Sequence, residues 1–398
     1  MKITVRDWWR ARRGTWWWAI VVVVVPVIGL TTAAAWLLPV MVDVTSSNDR
    51  LEVARIALTV GAGTGGVVAL VIAGRRQWST ERAHHANDHD ATERRITELY
   101  TKAVDQLGSE RAAVRLGGLH ALERLGDSNP SQQRTIGDVI CAYLRMPYTS
   151  PPELDADADA DERQEHDRLV QELETRRTAL EILIRHAPDQ DMPWPELRIR
   201  LQRANLTNSD LGGANWHNAN LADADLTDAN LIDADLTGAN LTGADLTRAL
   251  LTRAKLITAS MSKATLIGAN LASADLPRAD LSHANLSYAN LSRSNLTDTH
   301  LFYAELIEAD LTDADLTDSS MSCVDLTDAN LTRASLVSVH LSDSNLINAN
   351  LTGADLSDAD LTNSDVAGAD FTGAYLAGAN LTNSNLTDDQ RSAAQRES

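Results

Sequence analysis

The chain has 398 residues and sets 55 acidic against 35 basic side chains, a formal charge of −20. Such an excess repels phosphate backbones, so direct nucleic-acid binding is not expected. Two cysteines, Cys141 and Cys323, are too few for a disulfide framework and fit a reducing compartment.

The N-terminal segment, residues 1–76, reads as a basic arm and a transmembrane hairpin. Residues 16–42 carry no charge and are long enough for about 30 Å of hydrocarbon. Trp16, Trp17, Trp18 and Trp36 suit its interfaces. A second apolar run covers residues 56–73 and ends at Arg75 and Arg76. Basic residues flank both outer ends, among them Lys2, Arg6, Arg10, Arg12 and Arg13. This predicts a multi-pass plasma-membrane protein with both termini cytoplasmic. A cleaved signal peptide is the rival, but the apolar run continues past Ala33, Ala34 and Ala35. Gly61 to Gly66 also satisfies G-x-G-x-x-G. No strand precedes it, so Gly61, Ala62, Gly65 and Gly66 read instead as small residues for helix packing in a bilayer.

Residues 77–146 predict a cytoplasmic helical module, with Leu116, Leu119, Leu122 and Leu125 on one stripe and Gly117 and Gly118 permitting close approach. His84, His85 and His89 with Asp88 and Asp90 could ligate a metal, but without a third placed ligand they read as a solvated segment. Residues 147–162 form an acidic linker, and residues 163–196 a further helix and a connector ending in Pro193, Trp194 and Pro195.

From residue 197 to residue 388 one pattern takes over. Leucine recurs every five residues between Leu201 and Leu386, at 33 of 38 positions, and Trp216, Met261, Met321, Val366 and Phe371 fill the rest. Two residues earlier stands Ala at 28 of 37 sites, and between the two stands Asp or Asn at 27. Five residues advance a helix by about 140°, which would bury nothing. In extended chain the Ala and the Leu share one face, and the Asx, Thr and Ser between them suit tight turns. The chain therefore coils, and residues 389–398 are a polar tail.

Residues 199–388 resemble the pentapeptide-repeat family, whose motif is A(D/N)LXX. The resemblance implies a mainly β fold: a right-handed quadrilateral β-helix, four repeats to a coil, with Leu and Ala inside. Residues 97–145 resemble the helical module that accompanies such rods in membrane-anchored bacterial members.

No grouping in the chain suits catalysis, a cofactor or a small-molecule substrate; the abundant carboxylates are turn residues in open water. What remains is surface. Residues 20 apart stack in columns, one of which runs Lys263, His283, Tyr303, Cys323, Asp343. With Tyr288, His300 and Phe302 it forms an aromatic and histidine cluster, the candidate contact for an unidentified cytoplasmic protein. Arg248, Arg253, Lys255 and Lys263 fall on different faces and make a girdle. The expected function is a membrane-tethered, non-enzymatic interaction scaffold. The alternative, which the family resemblance implies, is an acidic DNA mimic that inhibits or protects a type II topoisomerase.

Overall fold

The computed structural model describes residues 47–155, 157–187 and 193–394, preceded by residues 25, 26, 28, 29, 32, 33, 36 and 37. The chain divides into two units, Met1–Ile96 and Thr97–Ser398.

Most of what is described in the first unit belongs to one helix, α1, which spans Ser47–Leu107 and continues into the second unit. No helix among the described residues is long and apolar enough to cross a membrane. This corrects the expected transmembrane hairpin and, with it, the two-span membrane partnership and the multi-pass plasma-membrane placement. Residues 56–73 are not the leg of a hairpin that stops at a basic pair. They sit inside a helix that runs on through Arg75 and Arg76 into a charged stretch, and Thr59, Gly61, Gly63, Thr64, Gly65 and Gly66 interrupt their apolar character. The other expected span, residues 16–42, lies largely outside the described residues.

The second unit opens with a small helical bundle: α2, Ala112–Ser128; a short 3-10 turn, Pro130–Gln132; α3, Gln133–Leu144; and α4, Ala160–Arg185. Its core is Leu119, Leu122, Leu125, Ile136, Ile140, Leu144, Ile182 and Leu183, all at most 6% exposed. The α4 helix starts where it does because the Asp159 side chain accepts hydrogen bonds from the Asp161 and Glu162 amides, while the Glu162 carboxylate accepts one from the Asp159 amide. Buried Arg176 donates to the carbonyl of Leu144, tying α4 to the end of α3.

Beyond Ile199 the chain is a parallel β-helix in which the residue before each central Leu pairs with the one 20 positions on, from Arg200 with Asn220 to Asp360 with Asn380. Most repeats make the same bonds. The Leu201 amide donates to the Asn220 carbonyl at 2.8 Å, and the Asn220 amide returns to Ile199 at 2.9 Å. A turn then closes from the Ala204 amide to the Leu201 carbonyl at 3.0 Å. That turn places its third residue at positive φ in all 37 repeats from Arg203 to Asn383, 29 of them without a glycine. Gly, Asn or Asp occupies 22 of these corners, the residues that tolerate the left-handed region best. The Asx that precedes each Leu has a separate duty: Asp225 Oδ1 accepts from the Thr227 amide at 3.0 Å, and most repeats do likewise. Inside, the central Leu and the small residue are at most about 1% exposed through the body of the stack. Each such Leu contributes about 1.5–3 kcal/mol relative to exposure.

Both ends of the coil are finished. At the start, α3 lies against the first coil: Arg145 donates to the Arg200 carbonyl at 2.8 Å and the Cys141 thiol faces the Arg198 carbonyl at 3.9 Å. Gly137 leaves room for Leu197 there: a Cβ would meet Leu197 Cδ1 at 2.5 Å and displace that side chain. Burial pushes the Cys141 thiol up to about 11, so it stays protonated. At the far end a short helix, α5, Asp388–Ala393, folds back onto the coil, where the Gly373 amide donates to the Ala393 carbonyl at 2.9 Å. Gln390 donates to the Val366 and Ala369 carbonyls at 2.9 Å, and Asn385 Oδ1 accepts from the Val366 amide at 2.7 Å. Leu376, Leu381 and Leu386 of the last coil are only half-buried.

Candidate interaction surface

The four faces of the coil can be told apart by their central residues: Leu281 and Leu301 lie on the first, Leu286 and Leu306 on the second, Leu291 and Leu311 on the third, Leu296 and Leu316 on the fourth. On the first face the structure brings four of the expected residues together. His283 and Tyr303, one coil apart at left-handed corners, stack with ring centroids 5.1 Å apart and planes within 3°. His300 and Phe302 flank inward-facing Leu301, with their rings tilted and 6.4 Å apart. Tyr303 is 58% exposed and Phe302 37%. A hydrogen bond to Cys323, that group's charge, slight desolvation and Asp343 hold the Tyr303 phenol above its ordinary range.

Tyr288 stands apart. It occupies the corner of the second face, and among the described residues no ring contact joins it to the others. Its neighbours are two residues that the sequence reading passed over, Ile267 and Ile307, which stack above and below Ser287 in a position held elsewhere mostly by Thr, Ser or Ala. Ser287 is consequently only 7% exposed, while Ile267 is 37% exposed. The signal was present in the sequence: an apolar residue directly after the central Leu cannot face the interior.

Charge is distributed unevenly. Arg248, Arg253 and Arg333 each reach back one coil to Asp228, Asp233 and Asp313, at 2.6, 2.6 and 2.7 Å. Lys255 meets Asp235 at 3.5 Å and Arg278 meets Asp298 at 3.6 Å. The girdle of basic residues is thus largely a set of rungs between coils. Hydrogen bonds from these arginines lower the Asp233 and Asp313 carboxyls below their usual range. The second face has a single such rung, Arg248 to Asp228: its outward positions hold eight carboxylates and one basic residue.

The remaining expected positions carry less. Gly61, Ala62, Gly65 and Gly66 lie within α1, and a Cβ on Gly66 would meet nothing within 4 Å. The side chains of His84, His85 and His89 lie outside the described residues. Among the described residues no group of three or more His, Cys, Asp or Glu is placed to hold a metal ion.

The family model for pentapeptide repeats matches in eight copies, covering residues 199–388. HetL, a pentapeptide repeat protein involved in heterocyst differentiation regulation in the cyanobacterium Nostoc sp. strain PCC 7120, is 36% identical. That match covers 48% of this chain and 90% of HetL, with a TM-score of 0.27. The chain belongs to the pentapeptide-repeat family. A pentapeptide repeat protein from the Arabidopsis thaliana thylakoid lumen is 33% identical over 27% of this chain and 69% of its own, with a TM-score of 0.17. QnrB1, a plasmid-mediated fluoroquinolone resistance protein, is 17% identical over 49% of this repeat protein and 93% of its own, with a TM-score of 0.34. No curated protein matches the chain.

Proposed function

We propose that this repeat protein is a non-enzymatic interaction scaffold whose coil presents a fixed outer surface to a protein partner. The observation that carries the reading is the cluster of His283, His300, Phe302 and Tyr303 on the first face, with Tyr288 on the adjoining one. Large aromatic side chains are exposed there on a backbone in which successive coils are hydrogen bonded throughout. A surface already held in place loses little ordering entropy on binding, and aromatic anchors contribute most where they are few and central. Membership of the repeat family supports an interaction role in general terms.

The test is affinity isolation of the intact protein. Phe302→Ala with Tyr303→Ala is expected to release the principal co-purifying protein, while Asp310, Asp313, Asp315 and Asp318, all changed to Asn, release it little. A partner retained by the double alanine variant removes this contact. Acidity would also suit a stand-in for DNA at a type II topoisomerase. The Arg–Asp rungs weigh toward the scaffold, because they cancel part of the charge that such a stand-in needs. Supercoiling by gyrase that proceeds unchanged in excess protein would remove that alternative.

A further inference from the structure

Two features meet on the second face. Ile267 and Ile307, with Tyr288 at the corner, form an apolar strip across three successive coils. Tyr288 and Tyr303 are also the two tyrosines held at left-handed corners, with φ of 63° and 56°. Both rings project into solvent, each residue 58% exposed. The second feature is charge left without a counterpart. Glu305 and Glu308 flank Ile307, and Asp325 and Asp328 lie one coil on. No ion pair among the described residues reaches any of the four. Glu305 is engaged by the Asn285 amide at 2.6 Å and Asp325 by Thr327 at 2.6 Å, which orients them without neutralising them.

We propose that this strip is the docking site for a cationic amphipathic segment of a partner protein, with apolar residues on Ile267, Tyr288 and Ile307 and Lys or Arg on Glu305, Glu308, Asp325 and Asp328. The proposal rests on the scaffold reading and names the chemistry of its partner. Charge complementarity selects the occupant: an acidic or neutral segment would leave four carboxylates facing like charge or desolvated without a partner, whereas a basic one satisfies them at the edge of a buried apolar contact.

The test titrates the full chain with a labelled peptide of leucine and lysine, its leucines on one helical face, and with the counterpart in which glutamate replaces lysine. Ile267→Thr with Ile307→Thr restores the residue common at that position, so the coil is kept. Glu305→Gln, Glu308→Gln, Asp325→Asn and Asp328→Asn together remove the charge. Asp275→Asn, Asp315→Asn, Asp318→Asn and Asp358→Asn remove as much charge from the fourth face. The lysine peptide is expected to bind and the glutamate peptide not. Each second-face set should weaken binding at least about tenfold, and the fourth-face set less than about twofold. Equal losses from both charge sets would reduce the effect to general attraction and overturn the proposal, as would no binding at all or indifference to the isoleucine pair. If Phe302→Ala with Tyr303→Ala still releases a co-purified partner in that case, the scaffold stands and only this docking site falls.

Discussion

Ser319 stands where 28 of 37 repeats have alanine, and its hydroxyl is buried without a hydrogen-bond partner in the protein. The other core serines that replace this alanine at positions 294, 344 and 364 each donate to a nearby carbonyl. Ser319→Ala is therefore expected to raise stability by about 1 kcal/mol, since it removes an unsatisfied group without opening a cavity. Ser294→Ala, which gives up a bond of 2.7 Å, should be neutral or mildly destabilising. Thermal melts of the two variants decide the matter, and equal effects would refute the distinction. Which side chains enter the core was legible in the sequence, because period and polarity alone determine it. The left-handed corners were not, since arginine, tyrosine, lysine and cysteine appear at them alongside Asx and Gly. The hydrogen bonds between coils enforce that φ on whatever residue arrives.

Among the elements, α2, the end of α4 and the connector that leads to the coil meet in a compact polar cluster. Glu123 of α2 meets Arg185 at 2.5 Å and His186 at 3.2 Å, and His186 stacks on Trp194 at 4.3 Å between centroids. Burial pushes the Glu123 carboxyl up, but hydrogen bonds from His120 and His186 and the charge of Arg185 outweigh it and leave the group below its ordinary range. A carboxyl lowered by folding stabilises the folded state above its unfolded value, about 4.3, and that contribution fades as pH falls through the folded value. Glu123→Gln should accordingly lower the melting temperature near neutrality and narrow the gap to the unsubstituted chain on acidification below about pH 4. A constant gap at every pH would refute it. Leucine spacing announced these helices. Their attachment through Gly137, Cys141 and Arg145 depends on contacts between segments remote in sequence, which no local pattern reports. The same blindness misled the hairpin reading: an apolar window shows where a span could sit, not that its helix continues into charge.

For the molecule as a whole, the two ends of the coil differ from its middle. A fragment of residues 97–398 keeps α2, α3 and α4 over the first coil and is expected to remain monomeric with one cooperative transition. A fragment that begins at residue 197 exposes Leu197, Ile199 and the Arg198 and Arg200 carbonyls, so it should retain β-helical circular dichroism yet self-associate. Light scattering after gel filtration distinguishes them. A shorter fragment that stays monomeric, with unchanged melting, would show that the helices leave the coil indifferent.

The unbroken frame sets rules for how such a chain can change length. Removing residues 241–260 would delete one complete coil and leave every later residue on its own face. The aromatic cluster would keep its bearing relative to the N-terminal bundle, only nearer by about 4.8 Å. Removing residues 241–245 would keep the core equally intact but turn everything downstream by a quarter revolution. A gene that lost or gained one repeat would thus encode a stable protein pointing its contacts in a new direction, so stability tolerates steps of five while any partner touching both bundle and coil demands steps of twenty.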